Sequence, residues 1–211
     1  EARARSLTPF ELLEEKASRL RPGSSGLIAL DWLNGNRSIL SDSDLSGLIV
    51  GLTLGTKPEE IYRALIESTA FGARVIIEEF ETQGVAVETL AATGGISKKS
   101  PLFMQIYADV TGRTIRIGAS DQAVALGSAI AASACAGSKA GGHDSIARAS
   151  EAMGKLLDDA YVPDPASKAT YDRLYAIYRR LHDGFGLQDS DLMHTLKDIK
   201  ANNTQAKEVS K

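Results

Sequence analysis

The sequence predicts an α/β fold in which helices pack against a sheet. Short apolar runs, of the kind that form buried strands, alternate with longer segments whose apolar residues recur at three-to-four spacing. Glycine or proline marks most of the junctions between these segments. The 211 residues are 43% hydrophobic and 24% charged, which is ordinary for a globular protein.

The first elements are predicted to be one helix and two strands. A helix is expected over Leu7–Leu20, because Thr8 can cap it and Glu11 completes a capping box. The break RPGSSG ends this helix. Buried strands are expected at Gly26–Leu30 and Leu48–Thr53, and a polar loop joins them.

The remaining elements begin with a long helix over Pro58–Thr82, which starts with a proline and is closed by Gly84. Strands and helices then alternate, with strands at 88–93 and 114–117 and helices at Ser100–Thr111, 121–137, Ser145–Gly154 and Ala166–Phe185. The expected packing stripe of the last helix consists of Leu174, Ile177, Leu181 and Phe185.

The domain organisation is predicted from the same pattern. Residues 1–25 form a helical lead-in, and residues 26–186 contain no convincing linker and are expected to form one domain. Residues 187–211 are polar and nearly aperiodic, which predicts a disordered tail.

Charge and composition exclude several classes of partner. The net charge of -3 leaves no basic surplus to replace phosphate counterions, so nucleic acid is not expected to bind. No apolar run approaches the roughly 20 residues that a membrane helix needs. The single cysteine, Cys135, excludes an internal disulfide, fits a cytoplasmic location and is expected to be buried in its alanine-rich segment.

The most informative local feature is the pair Gly94–Gly95, between a predicted strand and a predicted helix. Glycines lack Cβ atoms, so a flat or anionic ligand could lie against their main chain. The following helix would offer N–H groups to phosphate oxygens, and Lys98 and Lys99 would add positive charge. Ser100 is expected to cap that helix. The alternative is a plain turn, and the glycines alone do not separate the two.

A second candidate is the loop that contains Trp32, Asn34, Asn36 and Arg37. These residues could line a cleft near substrate, where Arg37 would present a forked donor to an anion. The alternative is a structured surface loop with the tryptophan packed over the sheet. The histidines show no metal-ligand spacing, so no metal ligand is predicted.

Gln105 and Asp109 lie four residues apart, on one face of the helix that follows the glycine pair. They are expected to brace the glycine loop. Asp121 is expected to cap the helix over 121–137.

Three stretches resemble a known family. The glycine pair followed by SPLFMQIYADVTGRTIRI and ALGSAIAA is similar to the adenosine-binding region of the FGGY carbohydrate kinases, of the actin, Hsp70 and sugar kinase superfamily. GLIVGLTLGTKPEEIYRALIE resembles the carboxy-terminal signature of that family, and DWLNGNR resembles a loop characteristic of its ribulokinase members. The key signature positions are Gly47, Gly51, Glu60, Ile61, Ala64 and Glu67. The resemblance covers about residues 7–186.

The resemblance implies a ribonuclease H-like carboxy-terminal domain, with a mixed sheet flanked by helices. It also implies transfer of the γ-phosphoryl group of ATP, with Mg²⁺, to the terminal hydroxyl of a ketopentose, ribulose, in arabinose catabolism. Gly94 and Gly95 would then lie against the α-phosphate and ribose, with Ser97 beside them. Lys99 matches a position whose side chain approaches adenine in relatives of the family.

Other family features do not match this chain. No DxGT-like hairpin is present, and the family's catalytic aspartate precedes the region that matches GLIALDW. Asp31 is therefore not expected to be the base, and no catalytic residue is predicted in this chain. The chain alone is expected to lack kinase turnover, to meet the ketopentose through a missing domain and to self-associate through exposed apolar surface. The alternative is a non-catalytic, nucleotide-dependent regulatory module of the same superfold.

Overall fold

The computed structural model describes residues 1–208, which form two compact units. The first unit contains Glu1–Ala86 and the described residues from Pro165 onward. The second unit is Val87–Asp164. The chain thus leaves the first unit and returns to it, which differs from the predicted boundaries 1–25, 26–186 and 187–211. At the amino terminus, residues 1–25 belong to the first unit because they are bonded to it. Arg63 donates hydrogen bonds to the carbonyls of Ala17 and Leu20 and so anchors this segment.

Apart from a short helix at Gly95–Lys99, which the sequence pattern does not predict, the helices agree closely with that pattern as far as residue 183. Within residues 1–208, the α-helices are α1 (Pro9–Ser18), α2 (Pro58–Thr82), α3 (Gly95–Lys99), α4 (Pro101–Thr111), α5 (Ala123–Ala136), α6 (Ile146–Met153), α7 (Pro165–Asp183) and α8 (Ser190–Glu208). Short 3-10 turns lie at Arg3–Arg5 and Ser138–Ala140, and a π-helical turn lies at Gly184–Gln188. The capping box predicted for α1 is confirmed, since Thr8 and Glu11 exchange hydrogen bonds.

Each unit has its own sheet. In the first unit, β1 (Ile28–Leu30) pairs antiparallel with β2 (Leu48–Val50). In the second unit, β4 (Ile115–Gly118) lies between β3 (Leu90–Ala92), which is parallel to it, and β5 (Leu156–Tyr161), which is antiparallel. The second sheet is therefore mixed.

The core of the first unit forms where α2 and α7 face each other. Phe71 of α2 contacts the rings of three tyrosines of α7, with centroid distances of 5.3–6.1 Å. These tyrosines, with His182, are the buried residues of α7: Tyr171, Tyr175 and Tyr178. The predicted packing stripe of α7 is wrong at Ile177, which is 45% exposed, whereas Leu174, Leu181 and Phe185 are half-buried. The tyrosine rings fill the space against α2 instead.

The core of the second unit forms between α4 and the mixed sheet. Met104 and Ala108 of α4 pack against Ile115 and Ile117 of β4. Ile106 and Val110 of α4 are also buried, as their spacing predicts. This packing fixes the carboxyl ends of β3 and β4. The glycine pair follows shortly after β3.

Several expectations are corrected. Strand β5 was not predicted, and α8 occupies most of the tail that was expected to be disordered; residues 209–211 lie outside the described residues. Cys135 is exposed rather than buried, because α5 has no buried residue along its whole length. The buried side chain of Met193, which is 3% exposed, anchors α8 in the first unit and so explains why this polar segment forms a helix there.

Candidate functional site

The glycine pair lies at the end of β3, where the chain turns into α3. Gly94 has a φ of 95°, which favours glycine, and it stands at the N-cap of α3. Both glycines are exposed, and no neighbouring atom lies within 4 Å of the place where a Cβ would stand on either of them. The main chain is open here and is not covered by side chains.

The helix start differs from the prediction. α3 begins directly at Gly95, and α4 begins only after Ser100. The hydroxyl of Ser100 accepts a hydrogen bond from the amide of Phe103 at 3.1 Å, so its predicted capping role is confirmed. The backbone next to the glycine pair therefore belongs to α3, a single short turn of helix.

Ser97 is buried, and its hydroxyl donates a 2.8 Å hydrogen bond to the carbonyl of Gly94. Its hydroxyl thus braces the glycine turn from behind. Lys99 is exposed and makes no hydrogen bond or ion pair with any of residues 1–208. Of the predicted nucleotide contacts, the glycine main chain and Lys99 are therefore the accessible ones.

The ammonium group of Lys98 is bonded to other residues of the same unit. Its ammonium group donates to the carbonyl of Ala119 at 2.8 Å and pairs with the carboxylate of Asp121. The hydrogen bond and charge of Lys98 lower the pKa of Asp121. The predicted cap at Asp121 is wrong, since α5 begins without a side-chain cap.

A cavity of about 580 Å³ adjoins α3 in the second unit. It is lined by Ser97 and Lys98 on one side and by residues of β4 and β5 on the other, among them Ile117, Leu157 and Tyr161. Its volume and mixture of apolar and charged groups are typical of sites for small ligands. The β5 wall of this cavity is not predicted from the sequence, although Gly154 and Pro163 enclose the run of apolar and polar residues that forms β5.

Gln105 and Asp109 interact as their spacing suggests, but they brace another segment. The amide of Gln105 donates to Asp109 at 2.8 Å and to the carbonyl of Val162 at 2.9 Å. The carboxylate of Asp109 also accepts from the backbone amide of Asp164 at 2.8 Å. The pair thus fixes the chain after β5 rather than the glycine turn.

The second candidate lies in the first unit, in the β1–β2 loop, which we define as residues 31–47. Trp32 is 1% exposed and packs edge-on against His182, with ring centroids 5.3 Å apart. This burial gives the ring a packing role, which is the alternative considered above. Asn36 is tied into the loop, where its backbone exchanges two 2.8 Å hydrogen bonds with Asp42.

Asn34 and Arg37 are the exposed members of the predicted set. Neither side chain makes a hydrogen bond or ion pair with residues 1–208. Asn34 lines a cavity of about 300 Å³ between the β1–β2 loop and α8. Among the four residues predicted for this loop, they are the ones whose side-chain donors are available.

Asp31 follows β1 and is held inside the first unit. The hydroxyl of Tyr178 donates to its Oδ1 at 2.9 Å. Burial raises the pKa of Asp31, and the hydrogen bond from Tyr178 opposes that rise. Its carboxylate lies against Gly72 of α2, where a Cβ would overlap it. Asp31 is thus a packed carboxylate.

The family comparison decides what this arrangement belongs to. Residues 1–136 match the sequence model of the family described as "FGGY family of carbohydrate kinases, C-terminal domain". The chain belongs to this family.

Within the FGGY family, the chain is similar to ribulokinases. The chain is 54% identical over 201 residues to a ribulokinase from Halalkalibacterium halodurans and 50% identical over 207 residues to one from Geobacillus thermodenitrificans. These matches cover 95% and 98% of the chain. They cover only 36% and 37% of the relatives, so the chain spans little more than a third of their length.

Solved structures of FGGY kinases show the same fold. The xylulose kinase from Rhodospirillum rubrum matches 88% of this chain and 35% of its own chain, with a TM-score of 0.72 and 26% identity. The xylulose kinase from Lactobacillus acidophilus matches with a TM-score of 0.73 and 24% identity, over 89% of this chain and 37% of its own. The predicted ribonuclease H-like α/β fold of sugar kinases is confirmed.

Among the side chains that the structure describes, those of residues 1–204, no three of His, Cys, Asp or Glu are grouped so that they could hold a metal ion. In that same part of the chain, none of the helices combines the length and the apolar character that crossing a membrane requires.

Proposed function

We propose that this chain is the nucleotide-binding, carboxy-terminal part of an ATP-dependent ribulokinase. The 50–54% identity to ribulokinases over nearly the whole chain supports this reading. The complete enzyme would transfer the γ-phosphoryl group of ATP to the terminal hydroxyl of a ketopentose such as ribulose.

The observation that carries the proposal is the open main chain at Gly94 and Gly95. A nucleotide must approach backbone N–H groups closely to use them, and a side chain at either position would stand in its path. Phosphoryl transfer depends on the positioning of the phosphates and on charge stabilisation, so a bare backbone platform is a useful contribution. The cavity beside α3 would give room for the rest of the nucleotide.

Charged groups near the platform suit an anionic ligand. Lys99 is exposed and unpaired within residues 1–208, so its ammonium group is free to approach the nucleotide. Lys98 is held by Asp121 and would contribute mainly through its field. Ser97 would act by fixing the carbonyl of Gly94.

Mg²⁺ would reach this site with the nucleotide. This ion keeps several waters and binds chiefly through substrate phosphates, so it does not require a protein cage. When bound, it would neutralise charge on the β- and γ-phosphates. No grouping within residues 1–208 offers a ligand set of its own.

The ketopentose would be held by groups from more than this chain. Asn34 and Arg37 are exposed donors of the β1–β2 loop, and we propose that they face the sugar or its phosphate. The proton acceptor for the sugar hydroxyl is proposed to come from the part of the relatives that lies outside the match. The cytoplasmic location and self-association of the chain stay predictions.

The test is calorimetric titration of the chain with ATP and Mg²⁺, comparing the unmodified protein with Gly95→Val. Gly95 has no positive φ and its Cβ would meet no atom, so valine is expected to fold normally. We expect the affinity to fall about tenfold or more, because the branched side chain would occupy the nucleotide's place. Circular dichroism and thermal unfolding would establish that the fold is retained.

Gly184→Val is the matched control. Gly184 also has no positive φ and no atom near its Cβ, and it lies in the other unit. We expect it to bind ATP as the unmodified chain does. Equal affinity of Gly95→Val and unmodified protein would show that the glycine pair is only a turn, and absence of binding at millimolar ATP would contradict the proposed role of the chain.

A further inference from the structure

The β1–β2 loop has 17 residues and contains only isolated backbone pairs, so its conformation needs support from elsewhere. Part of the support is internal. The backbones of Asn36 and Asp42 bond to each other twice at 2.8 Å. Gly35 lies so close to Ser43 that a Cβ would stand 2.7 Å from the Cα of that serine. These contacts close the loop on itself, but they leave residues 42–46 at its outer edge.

One face of α8 holds that outer edge. His194 Nε2 lies 2.8 Å from Oδ2 of Asp42, and the ammonium of Lys197 donates to the carboxylate of Asp44 at 2.8 Å. Lys197 also donates to the carbonyl of Ser43 at 2.7 Å. These two side chains are three residues apart and therefore point the same way from the helix.

A buried contact anchors the same face. The sulfur of Met193 accepts a 3.4 Å hydrogen bond from the amide of Ser46, and this side chain is 3% exposed. The segment that leads into α8 also touches the loop, since a Cβ on Gly186 would overlap Leu40. The contacts thus run from the middle of the loop to its end.

We propose that α8 is a clamp that sets the conformation of the β1–β2 loop and thereby positions Asn34 and Arg37 for the sugar substrate. His194 and Lys197 are positioning residues in this arrangement, because they act through Asp42, Ser43 and Asp44. The contacts named above all lie within the first unit. Its effect on substrate rests on the proposed function.

Hydrogen exchange of the chain tests the clamp directly. The backbone amides of Asn36 and Asp42 report on loop closure, because each bonds to the other residue. In the double variant with His194→Ala and Lys197→Ala, we expect these amides to exchange about tenfold faster, while amides of α2 are unchanged. Alanine favours helix, so α8 itself should persist. Trp32, the only tryptophan, gives an independent reading through its emission.

Lys200→Ala is the matched control, since it removes a lysine of the same helix whose side chain bonds to none of the side chains described, those of residues 1–204. Its exchange should equal that of the unmodified chain. Lys197→Arg keeps the charge and donors and should restore protection in the presence of His194. If the double variant also loosened α2, the single variant Lys197→Met would take its place. Loop exchange within twofold of the unmodified protein would overturn the clamp.

The kinetic consequence is measured in a chimera that joins this chain to the part of the Halalkalibacterium halodurans ribulokinase outside the match. Lys197→Met should raise the KM for ketopentose about fivefold and leave the KM for ATP within twofold, and Lys197→Arg should reverse this. A chimera without ketopentose-dependent turnover would contradict the proposed function and leave the exchange result standing. Normal turnover with an unchanged KM for ketopentose would overturn the positioning role.

Discussion

Buried charged groups define the first unit at the residue scale. Arg63 donates to Glu67 at 2.8 Å, and Tyr171 donates to the same carboxylate oxygen at 2.8 Å. Arg63 and Glu67 are 6% and 2% exposed. Removing one partner from such a pair typically costs about 3–5 kcal/mol, since the other charge is left buried. Glu67 belongs to the FGGY signature, so this part of the signature serves the fold.

Three other signature positions agree with that view. Glu60 accepts a hydrogen bond from the amide of Lys57 at 2.7 Å and so caps α2. Ala64 is 1% exposed inside the unit. Gly51 has a φ of 97°, and a Cβ there would overlap the carbonyl oxygen of Gly26. The signature thus records close backbone approaches and a helix start, which are features of the fold.

Asp31 gives a prediction on pH. Because burial raises its pKa in the folded state, the proton binds more tightly there than in the unfolded chain. The favourable contribution of this group is complete below the ordinary aspartate pKa of about 3.9 and is lost as the pH rises through the raised folded value. We therefore expect the stability of the unmodified chain, relative to Asp31→Asn, to fall with rising pH in that interval.

The measurement is urea unfolding at several pH values above about 4, followed by Trp32 emission. Asp198→Asn, an exposed carboxylate on α8, is the control and should show no such trend. A difference between Asp31→Asn and the unmodified chain that stays constant or grows in the opposite direction would contradict the assigned cause.

At the scale of elements, the close approach of α2 to Asp31 is set by a glycine. Gly72 lies within α2, and a Cβ there would overlap the carboxylate that Tyr178 holds in place. Gly127 lies within α5, and its Cβ would meet nothing. Both positions are helical, so intrinsic helix propensity favours alanine at each by about 1 kcal/mol. Packing decides the difference between them.

We therefore expect opposite effects from the same substitution. Gly72→Ala should destabilise the first unit by about 1–3 kcal/mol, because the added methyl group forces a held side chain to move. Gly127→Ala should stabilise α5 by about 0.5–1 kcal/mol. Trp32 emission during urea unfolding reads the first unit, and hydrogen exchange of α5 amides reads the second. Effects of the same sign would show that propensity outweighs packing at Gly72.

For the whole molecule, the exposed surface and the partial coverage of relatives are the main facts. Helix α5 has no charged residue and no buried residue, and Val124 on it is 88% exposed. Apolar surface of this kind commonly marks an interface. The match covers only 36% of the Halalkalibacterium halodurans ribulokinase. Phosphoryl transfer depends on positioning and charge stabilisation of the transferred group, and we propose that groups outside residues 1–211 contribute to both.

The prediction at this scale compares the chain alone with the chimera described above. The chain alone should show no ketopentose-dependent ADP formation in a coupled assay. The chimera should turn over, and its turnover should fall at least tenfold on Gly95→Val, whereas Gly184→Val should have no effect. Turnover by the chain alone at the rate of the chimera would show that the catalytic base lies within these residues.

The local sequence pattern was sufficient to predict several helix starts and one turn. The capping box at Thr8, the proline at the start of α2, the cap at Ser100 and the glycine turn at Gly94 depend on neighbouring residues, so they could be read directly from the sequence. The family followed from long ordered motifs. Strand β5 was missed because its run LLDDAY does not alternate regularly, and pairing with β4 holds it in the sheet.

Only the tertiary structure decided which residues face the core and which groups remain free. Lys98 and Lys99 are adjacent and chemically identical, but Asp121 occupies one and leaves the other exposed. Trp32 is buried while Asn34 is exposed, and α8 is anchored by Met193 although its sequence is polar. Such outcomes depend on partners that lie between about 20 and 150 residues away along the chain, as with Lys98 and Asp121 or Asp42 and His194. Local propensity carries no information about those partners.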